Sequence, residues 1–314
     1  MVKNYSVQKY HENDYEKWNA FIAQAKNATF LFHRDFMEYH KDRFEDYSLI
    51  VLNDEKWVAV LPANVVDNQV FSHQGLTFGG LVCLEDVKVE LIETVFESIL
   101  AFFKENKMNN FILRPILDFY QSRVSNELNY FLFQNKASLM KRSMNLVIDY
   151  SKPLRISKSK LKHYRRVSKL GISIEEAVDC NLFWNQILIP RLEEKYQTKP
   201  VHSLEEINQL KTSFPENIKQ FNAYYEGEIV AGITLFISKK VVKSQYGATS
   251  LKGESVRVLD FLFIKLINEY SSEYSFFDMG IVYDGDFYNK GLLKQKEELG
   301  CSVYLQDVFK IELL

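Results

Sequence analysis

One stretch of this chain repeats another. At an offset of 172 positions, Val58-Ala59 falls on Val230-Ala231, Val70 on Val242, Ser72 on Ser244, Gly75 on Gly247 and Thr77 on Thr249. Six of the twenty positions from 58 to 77 match without a gap; chance pairing at average composition gives about one. The surrounding pattern repeats as well. In the first half, the apolar run 49–52, a hairpin turn at 53–56, a strand over 57–63, a turn at Asp67-Asn68 and a strand over 69–72 lead into a glycine-bearing segment, 73–80. An amphipathic helix over 87–107 and a strand over 110–115 follow. In the second half, strands over 221–225, 229–237 and 241–246 lead through Gly247 to Ser250, a helix over 255–270 and a strand over 275–280. Two copies of one supersecondary unit fit this order. The fold class expected is α/β (α+β): two duplicated domains, each a mixed, mostly antiparallel sheet flanked by helices.

With 314 residues there is room for two domains of about 150 each. The first is expected over 1–150, ending on the strand 143–150, with Lys152-Pro153 at the boundary; the second spans 151–314. Helices are further expected over 14–26 and 33–44, and two modest ones over 183–214, interrupted near Pro200. Hydrophobic residues make up 46% and charged residues 25%, as in ordinary globular chains. No signal peptide is visible after Met1, and no run approaches the 18 or so apolar residues of a membrane span. Cys83, Cys180 and Cys301 are odd in number and far apart, so a reduced compartment is expected. The expected location is cytoplasmic, with a peripheral position at the inner face of the membrane as the variant.

Three segments could carry chemistry. From Lys152 to Lys169 the chain has eight basic residues and no acid, within a total of 39 Lys+Arg against 41 Asp+Glu. Ser157 caps an expected helix over 158–170 that Gly171 ends. Leu161, Tyr164 and Val167-Ser168 face inward, leaving Lys158, Lys160, Lys162, Arg165 and Arg166 as candidate phosphate ligands. A solvated helix at a domain junction is the competing explanation. Second, the strand ends 73–77 and 245–249 each present a glycine that permits close backbone approach, or else simply form tight turns. His73 beside the first is a candidate general base, against the commoner role of a structural histidine. Third, Asp278 ends a strand and is followed by the loop residues Asp284-Gly285-Asp286 and a short helix carrying Lys294 and Lys296. Asp278 could orient an amine and the lysines could offset a phosphate or an oxyanion; an ordinary charged surface helix is the alternative. The remaining histidines show no metal spacing. HExxH, Gly-x-Ser-x-Gly and the phosphate-loop pattern are absent.

At these residues the chain resembles the Fem-type branch of the GNAT acyltransferase superfamily. The resemblance covers most of the chain. It rests on the duplicated halves, Ser157-Lys158-Ser159-Lys160-Leu161-Lys162, Tyr246-Gly247-Ala248, and Phe277-Asp278-Met279-Gly280 followed by Leu293 to Gly300. Residues 72–80 look like the subgroup from surface-polysaccharide gene clusters. The resemblance implies two GNAT-like domains and transfer of an acyl group to the primary amine of a cell-envelope sugar or peptidoglycan precursor, small or lipid-linked. It implies a donor that is either acyl-CoA or aminoacyl-tRNA, so tRNA is a candidate partner; the lack of metal-ligand spacing leads to the expectation of no metal. The coenzyme A loop Gln/Arg-x-x-Gly-x-Gly/Ala is intact in neither half, which leaves the donor open. His73 and Asp278 are the catalytic candidates. Gln74, Gly75, Thr77, Ser244, Tyr246, Gly247, Arg257, Lys294 and Lys296 are the candidates for substrate binding. A peptidyl transferase dependent on aminoacyl-tRNA, or a non-catalytic module that keeps the fold, are the alternatives.

Overall fold

The computed structural model describes residues 5–283 and 287–313; the Asp284-Gly285-Asp286 loop and Met1 lie outside the described residues. Fifteen strands are described: β1 (Tyr5–Lys9), β2 (Glu45–Asp46), β3 (Leu49–Asn53), β4 (Lys56–Leu61), β5 (Asn64–Val66), β6 (Gln69–Phe71), β7 (Val82–Cys83), β8 (Asn110–Leu113), β9 (Ser138–Asp149), β10 (Ser173–Ala177), β11 (Ile218–Tyr225), β12 (Glu228–Ile237), β13 (Val241–Thr249), β14 (Phe276–Ile281) and β15 (Ser302–Glu312). Two compact units form. The first comprises Met1–Arg142 and Gln306–Leu314, the second Ser143–Leu305. The expected boundary near residue 150 differs from this division. Residues 143–149 of β9 belong to the second unit, and the last residues return to the first as most of β15.

In the first unit, β3 and β4 form a hairpin flanked by β1 and β7, and β15, β8, β6, β5 and β2 lie side by side. In the second, the order is β10, β11, β12, β13, β14, β9. Within each unit, among the described residues, the strands pair antiparallel except β6 with β8 and β13 with β14. Each parallel pair needs a crossover. The helix Val89–Glu105 supplies the first, burying Ile92, Val95, Phe96, Ile99, Leu100 and Phe103 along one stripe. The helix Val258–Glu269 supplies the second. It follows a short helix, Leu251–Val256, whose N-terminus Ser250 caps through its hydroxyl. The expected helix over 255–270 therefore begins earlier and breaks at Arg257, which holds a left-handed φ of 65°. The helix expected over 33–44 is only Arg34–Glu38, because His40 leaves helical dihedrals (φ −123°, ψ 26°) and is buried. The segment 183–214 forms Ile189–Tyr196 and Leu204–Ser213, with a π-helical turn at Trp184–Leu188 before them.

The cross-strand registers turn the sequence repeat into a structural one. Val51 pairs with Ala59 and Leu52 with Trp57, so Val58 bulges. Ala223 pairs with Ala231 and Tyr224 with Ile229, so Val230 bulges at the matching place. Val65 pairs with Val70, as Ile237 pairs with Val242. The copies part company after Ser72. Ala59 pairs with Cys83, whereas Ala231 pairs with Thr249. Cys83 is thus the counterpart of Thr249, and the nine residues 73–81 stand where the second unit has only 245–247. The identities Gly75/Gly247 and Thr77/Thr249 are therefore coincidences of sequence, not equivalent positions. Downstream, Phe111 opposite Val70 matches Phe277 opposite Val242.

Candidate functional site

The second unit contains a fork. β13 pairs with β14 only over Val241–Lys243 against Phe276–Asp278. Its other edge stays paired with β12 out to Thr249. Beyond Lys243, among the described residues, the β14-facing edge of β13 meets no strand. Two irregularities shape the opening. Gln245 is an extra residue between Tyr246 opposite Thr234 and Ser244 opposite Leu235. On β14, the ladder to β9 skips from Asp278 to Ile281, so Met279 and Gly280 stand outside it. Gly280 holds φ +76°, a region that disfavours side chains. Bulges re-aim side chains and end pairing where a site is built.

At the crotch of this fork, Asp278 is 1% exposed. Its Oδ1 accepts the Asn145 amide at 3.0 Å and the Gly280 N–H at 2.7 Å. Lys243 is its cross-strand partner on β13. Lys296 reaches in from the helix Lys290–Glu298, which Asn289 caps. Its Nζ donates to the carbonyls of Gly280 (3.0 Å) and Ile281 (3.1 Å). Burial pushes the Lys296 ammonium down to about 8; Lys243 lowers it further, while Asp278 and Cys301 act the other way. The Cys301 thiol is itself pushed up by burial, which leaves it unreactive. The geometry thus joins Asp278 and Lys296 around one bulge. Lys294 stands on the exposed face of the same helix.

Other sequence candidates scatter within the second unit. Tyr246 lies mid-strand, not at a strand end. Its hydroxyl accepts the His202 N–H (3.3 Å) and shares a 2.6 Å hydrogen bond with His202 Nδ1, and its ring meets Trp184 edge-on at 5.0 Å. Burial pushes the phenol up to about 12. Gly247 is exposed, with Phe263 beneath it. Ser244 sits opposite Leu235 at the start of the bulge.

The basic helix is Lys158–Val167, with the Ser157 hydroxyl accepting from Lys160 N–H. Lys160 corrects the sequence expectation. It is buried, bonded to Asp260 at 2.5 Å and near Glu298 at 3.8 Å, so it holds the helix down and offers no charge to a ligand. Ser168, expected inward, is exposed. Lys158, Lys162, Arg165, Arg166 and Lys169 are exposed and make no ion pair among the described residues. Helical spacing places Lys158, Lys162, Arg165 and Arg166 on one stripe, opposite buried Val167, and Lys169 follows in the turn after the helix. Arg257 joins this cluster; after burial, it and Arg166 push the His163 imidazole down.

In the first unit, His73 is buried and holds φ +69°. Its ring stacks on His40 at 5.4 Å and meets Phe44 at 5.5 Å. Its Nδ1 accepts the Gly75 N–H at 3.3 Å. Burial, then His40 and Arg34, push the imidazole down to about 3, so it is neutral at physiological pH and a weak acceptor of protons. Gln74 is tied twice to Asn64, each bond 2.8 Å. The Thr77 carbonyl accepts from Arg114 and Gln306, and Gly75 passes tightly over the His40 ring.

Sequence reasoning missed Asn145, Lys243 and His202. Asn145 had a signal: a lone amide within the apolar run from Met144 to Ile148. Lys243 and His202 had none, because only the strand register and the packing of the 181–213 segment bring them in. Among the described residues, no group of three or more His, Cys, Asp and Glu could hold a metal, and no helix is long and apolar enough to cross a membrane.

No protein-family model matches this sequence, and no curated protein matches it. Solved structures do. FemX superposes with a TM-score of 0.71 at 13% identity, over 98% of this chain and 97% of that one. The chain has a Fem-type, tandem GNAT-like fold. The C-terminal domain of a putative lysylphosphatidylglycerol synthetase from Agrobacterium fabrum gives 0.63 at 12% identity, covering 96% and 92%. A tandem GNAT protein from the clavulanic acid biosynthesis pathway gives 0.57 at 9%, covering 99% of each. Identities this low carry the fold alone.

Proposed function

We propose that this chain is an N-acyltransferase that moves an acetyl or aminoacyl group onto a primary amine, its acceptor a cell-envelope sugar or peptidoglycan precursor. The observation that carries this reading is the β13–β14 fork with Asp278 and Lys296 at its crotch. The open edge of β13 suits an extended donor arm, which would add as a further strand. The amine nitrogen attacks the donor carbonyl carbon, a C–N bond forms, and the nitrogen gives up its proton. Asp278 is the proposed proton acceptor; His73, buried and neutral, is the weaker candidate. The Lys296 ammonium offsets the tetrahedral oxyanion. The C–S or C–O bond to the carrier then breaks, and the leaving thiolate or alkoxide takes a proton. Two of the solved proteins with this fold, FemX and the tandem GNAT protein, are named for groups of acyl-transferring enzymes, which supports the reaction class.

The unpaired cationic stripe from Lys158 to Arg166 favours a donor or acceptor that carries phosphates, and so keeps an aminoacyl-tRNA donor as the second reading. A thermal-shift screen with acetyl-CoA, coenzyme A and charged tRNA tests the choice. A ligand at 100 times its Kd adds about 2.7 kcal/mol to stability. A response to the CoA compounds alone supports acyl-CoA. A salt-sensitive response to charged tRNA, lost when Lys158, Lys162, Arg165 and Arg166 are changed to Gln, supports the aminoacyl route. Silence with all three favours a non-catalytic module that keeps the fold.

A further inference from the structure

The segment 73–81, the excursion by which the first unit departs from the second, turns on two histidines. His73 is buried and holds φ +69°, a left-handed backbone that few side chains occupy. Its Nδ1 accepts the Gly75 N–H at 3.3 Å, and its carbonyl accepts the Leu76 N–H at 3.2 Å. Its ring lies against the buried His40 ring, with centroids 5.4 Å apart and planes inclined by 14°. His40 stacks on Tyr39 at 4.2 Å, and Phe44 meets the two imidazoles edge-on at 4.9 and 5.5 Å. Gly75 comes so close to His40 that a Cβ would overlap the ring. Further along, Leu76 and Phe78 are buried, with Phe78 packed on Phe32 and Tyr120.

Hydrogen-bond polarity makes this corner a place for neutral imidazole. A nitrogen that accepts an N–H carries no proton, so the neutral His73 ring has its proton on Nε2, and a second proton can go only to Nδ1. There it would face the Gly75 N–H, donor against donor. The charged groups around the pair do not offset the new charge. Arg34, itself buried, is near enough to repel a charge on His73. Its carboxylates, Glu38 at 2.8 Å and Asp46 at 3.0 Å, already serve the guanidinium. Arg43 lies over the Tyr39 ring at 5.6 Å, and Arg114 reaches the Thr77 carbonyl at 3.3 Å. Lys41, Asp42 and Glu45 are exposed. From β5, Asn64 meets the turn with a neutral amide, its Oδ1 accepting the Gln74 N–H at 2.8 Å. Burial, then His40 and Arg34, accordingly push the His73 imidazole down to about 3.

We infer that the His40–His73 stack is an acid-sensitive latch: proton uptake by His73 breaks its bond to the Gly75 N–H and releases the 73–81 segment, while the strands around it stay paired. The latch belongs to the first unit and does not depend on the reaction assigned to the second. The closed form holds the ring neutral, so its grip is complete above about pH 6.5, the free imidazole value, and weakens as pH falls below it. The test is hydrogen exchange by mass spectrometry on the full chain from about pH 7.5 to 4.5, corrected for the intrinsic pH dependence of exchange. Peptides over 72–83 are expected to lose about tenfold protection per pH unit below 6.5, the slope of one proton, while 49–61 keep theirs. A dye that binds apolar surface brightens over the same range as Leu76 and Phe78 come out. His73→Asn supplies the comparison. Asn tolerates positive φ, and its side-chain oxygen accepts the N–H two residues on, but it takes up no proton. In that variant, protection over 72–83 stays flat with pH. Unchanged protection over 72–83 in the parent chain down to pH 4.5 overturns the latch, whether or not the variant folds. The same acid slope in His73→Asn overturns the assignment to His73. Loss at 49–61 in step with 72–83 overturns it too, because the unit then unfolds as a whole.

Discussion

Lys296 makes the sharpest claim among single residues. Its ammonium is pushed from 10.5 to about 8 by burial. Below pH 8 the folded protein carries this charge at a cost; between pH 8 and 10.5 it sheds the proton while the unfolded chain keeps its own, so that cost disappears as pH rises. Lys296→Met therefore gains most stability near pH 7, up to roughly 3 kcal/mol less the loss of two carbonyl partners. Its advantage shrinks as pH climbs to 10.5; denaturant melts at several pH values check this. In catalysis the charged form is the useful one, so turnover falls as pH rises through about 8. Lys296→Arg, which stays charged, removes that alkaline fall. A pH–rate profile with the same fall in the Arg variant contradicts the role. Asp278 and Lys296 were legible in the sequence because a strand-end acid and a helix lysine follow one another closely. Asn145 and Lys243 were not, because β9 and β13 reach the site from distant parts of the chain.

The basic helix divides its lysines between two jobs. Lys160 joins Asp260 and Glu298 beneath the helix. Removing it leaves the largely buried Asp260 carboxylate with the Gln295 amide but no cation, and Lys160→Met is expected to cost about 3 kcal/mol. Lys158→Gln and Lys162→Gln, on the exposed stripe, are expected to change stability by less than about 0.5 kcal/mol. Urea melts of the three variants distinguish anchor from surface. The excess of charge was legible in the sequence; which lysine turns inward was not, because it depends on Asp260, 100 positions away. The 73–81 excursion makes a similar point. Gly79→Ala forces a methyl group against the Ser72 carbonyl and is expected to cost about 1–3 kcal/mol, read in the same melts. The matches of Gly75 with Gly247 and Thr77 with Thr249 fall inside this excursion, so an ungapped alignment ran through it and hid the insertion. Sequence identity ignores register, and six extra residues at a bulge leave the flanking strands in place.

Duplication organises the whole chain, and it was legible because strand pairing fixes spacing. Val58 and Val230 recur because each fills the same bulge, and Val70 and Val242 because each starts the strand that leads to the fork. The boundary was less legible: β9 and β15 both carry the chain from one unit to the other, and no Gly or Pro cluster marks either passage. Residues 309–312 of β15 complete the ladder on β8. Truncation after Leu305 is therefore expected to loosen the first unit, with amides of 110–113 losing protection while those of β11 and β12 keep theirs. The net charge of −2 hides a division as well, since the eight basic residues from 152 to 169 leave the rest of the chain acidic.

In the proposed reaction the proton and the oxyanion are both handled at the β13–β14 fork. The most direct measurement is the rate of amide formation, under single-turnover conditions with the donor that the thermal-shift screen selects, for the parent chain, Asp278→Asn and His73→Gln. Asp278→Asn is expected to lose about 10²–10⁴-fold while keeping its melting temperature within a few degrees, and His73→Gln is expected to lose little beyond what its stability explains. Unchanged turnover in Asp278→Asn would contradict the assignment of the reaction to the β13–β14 fork.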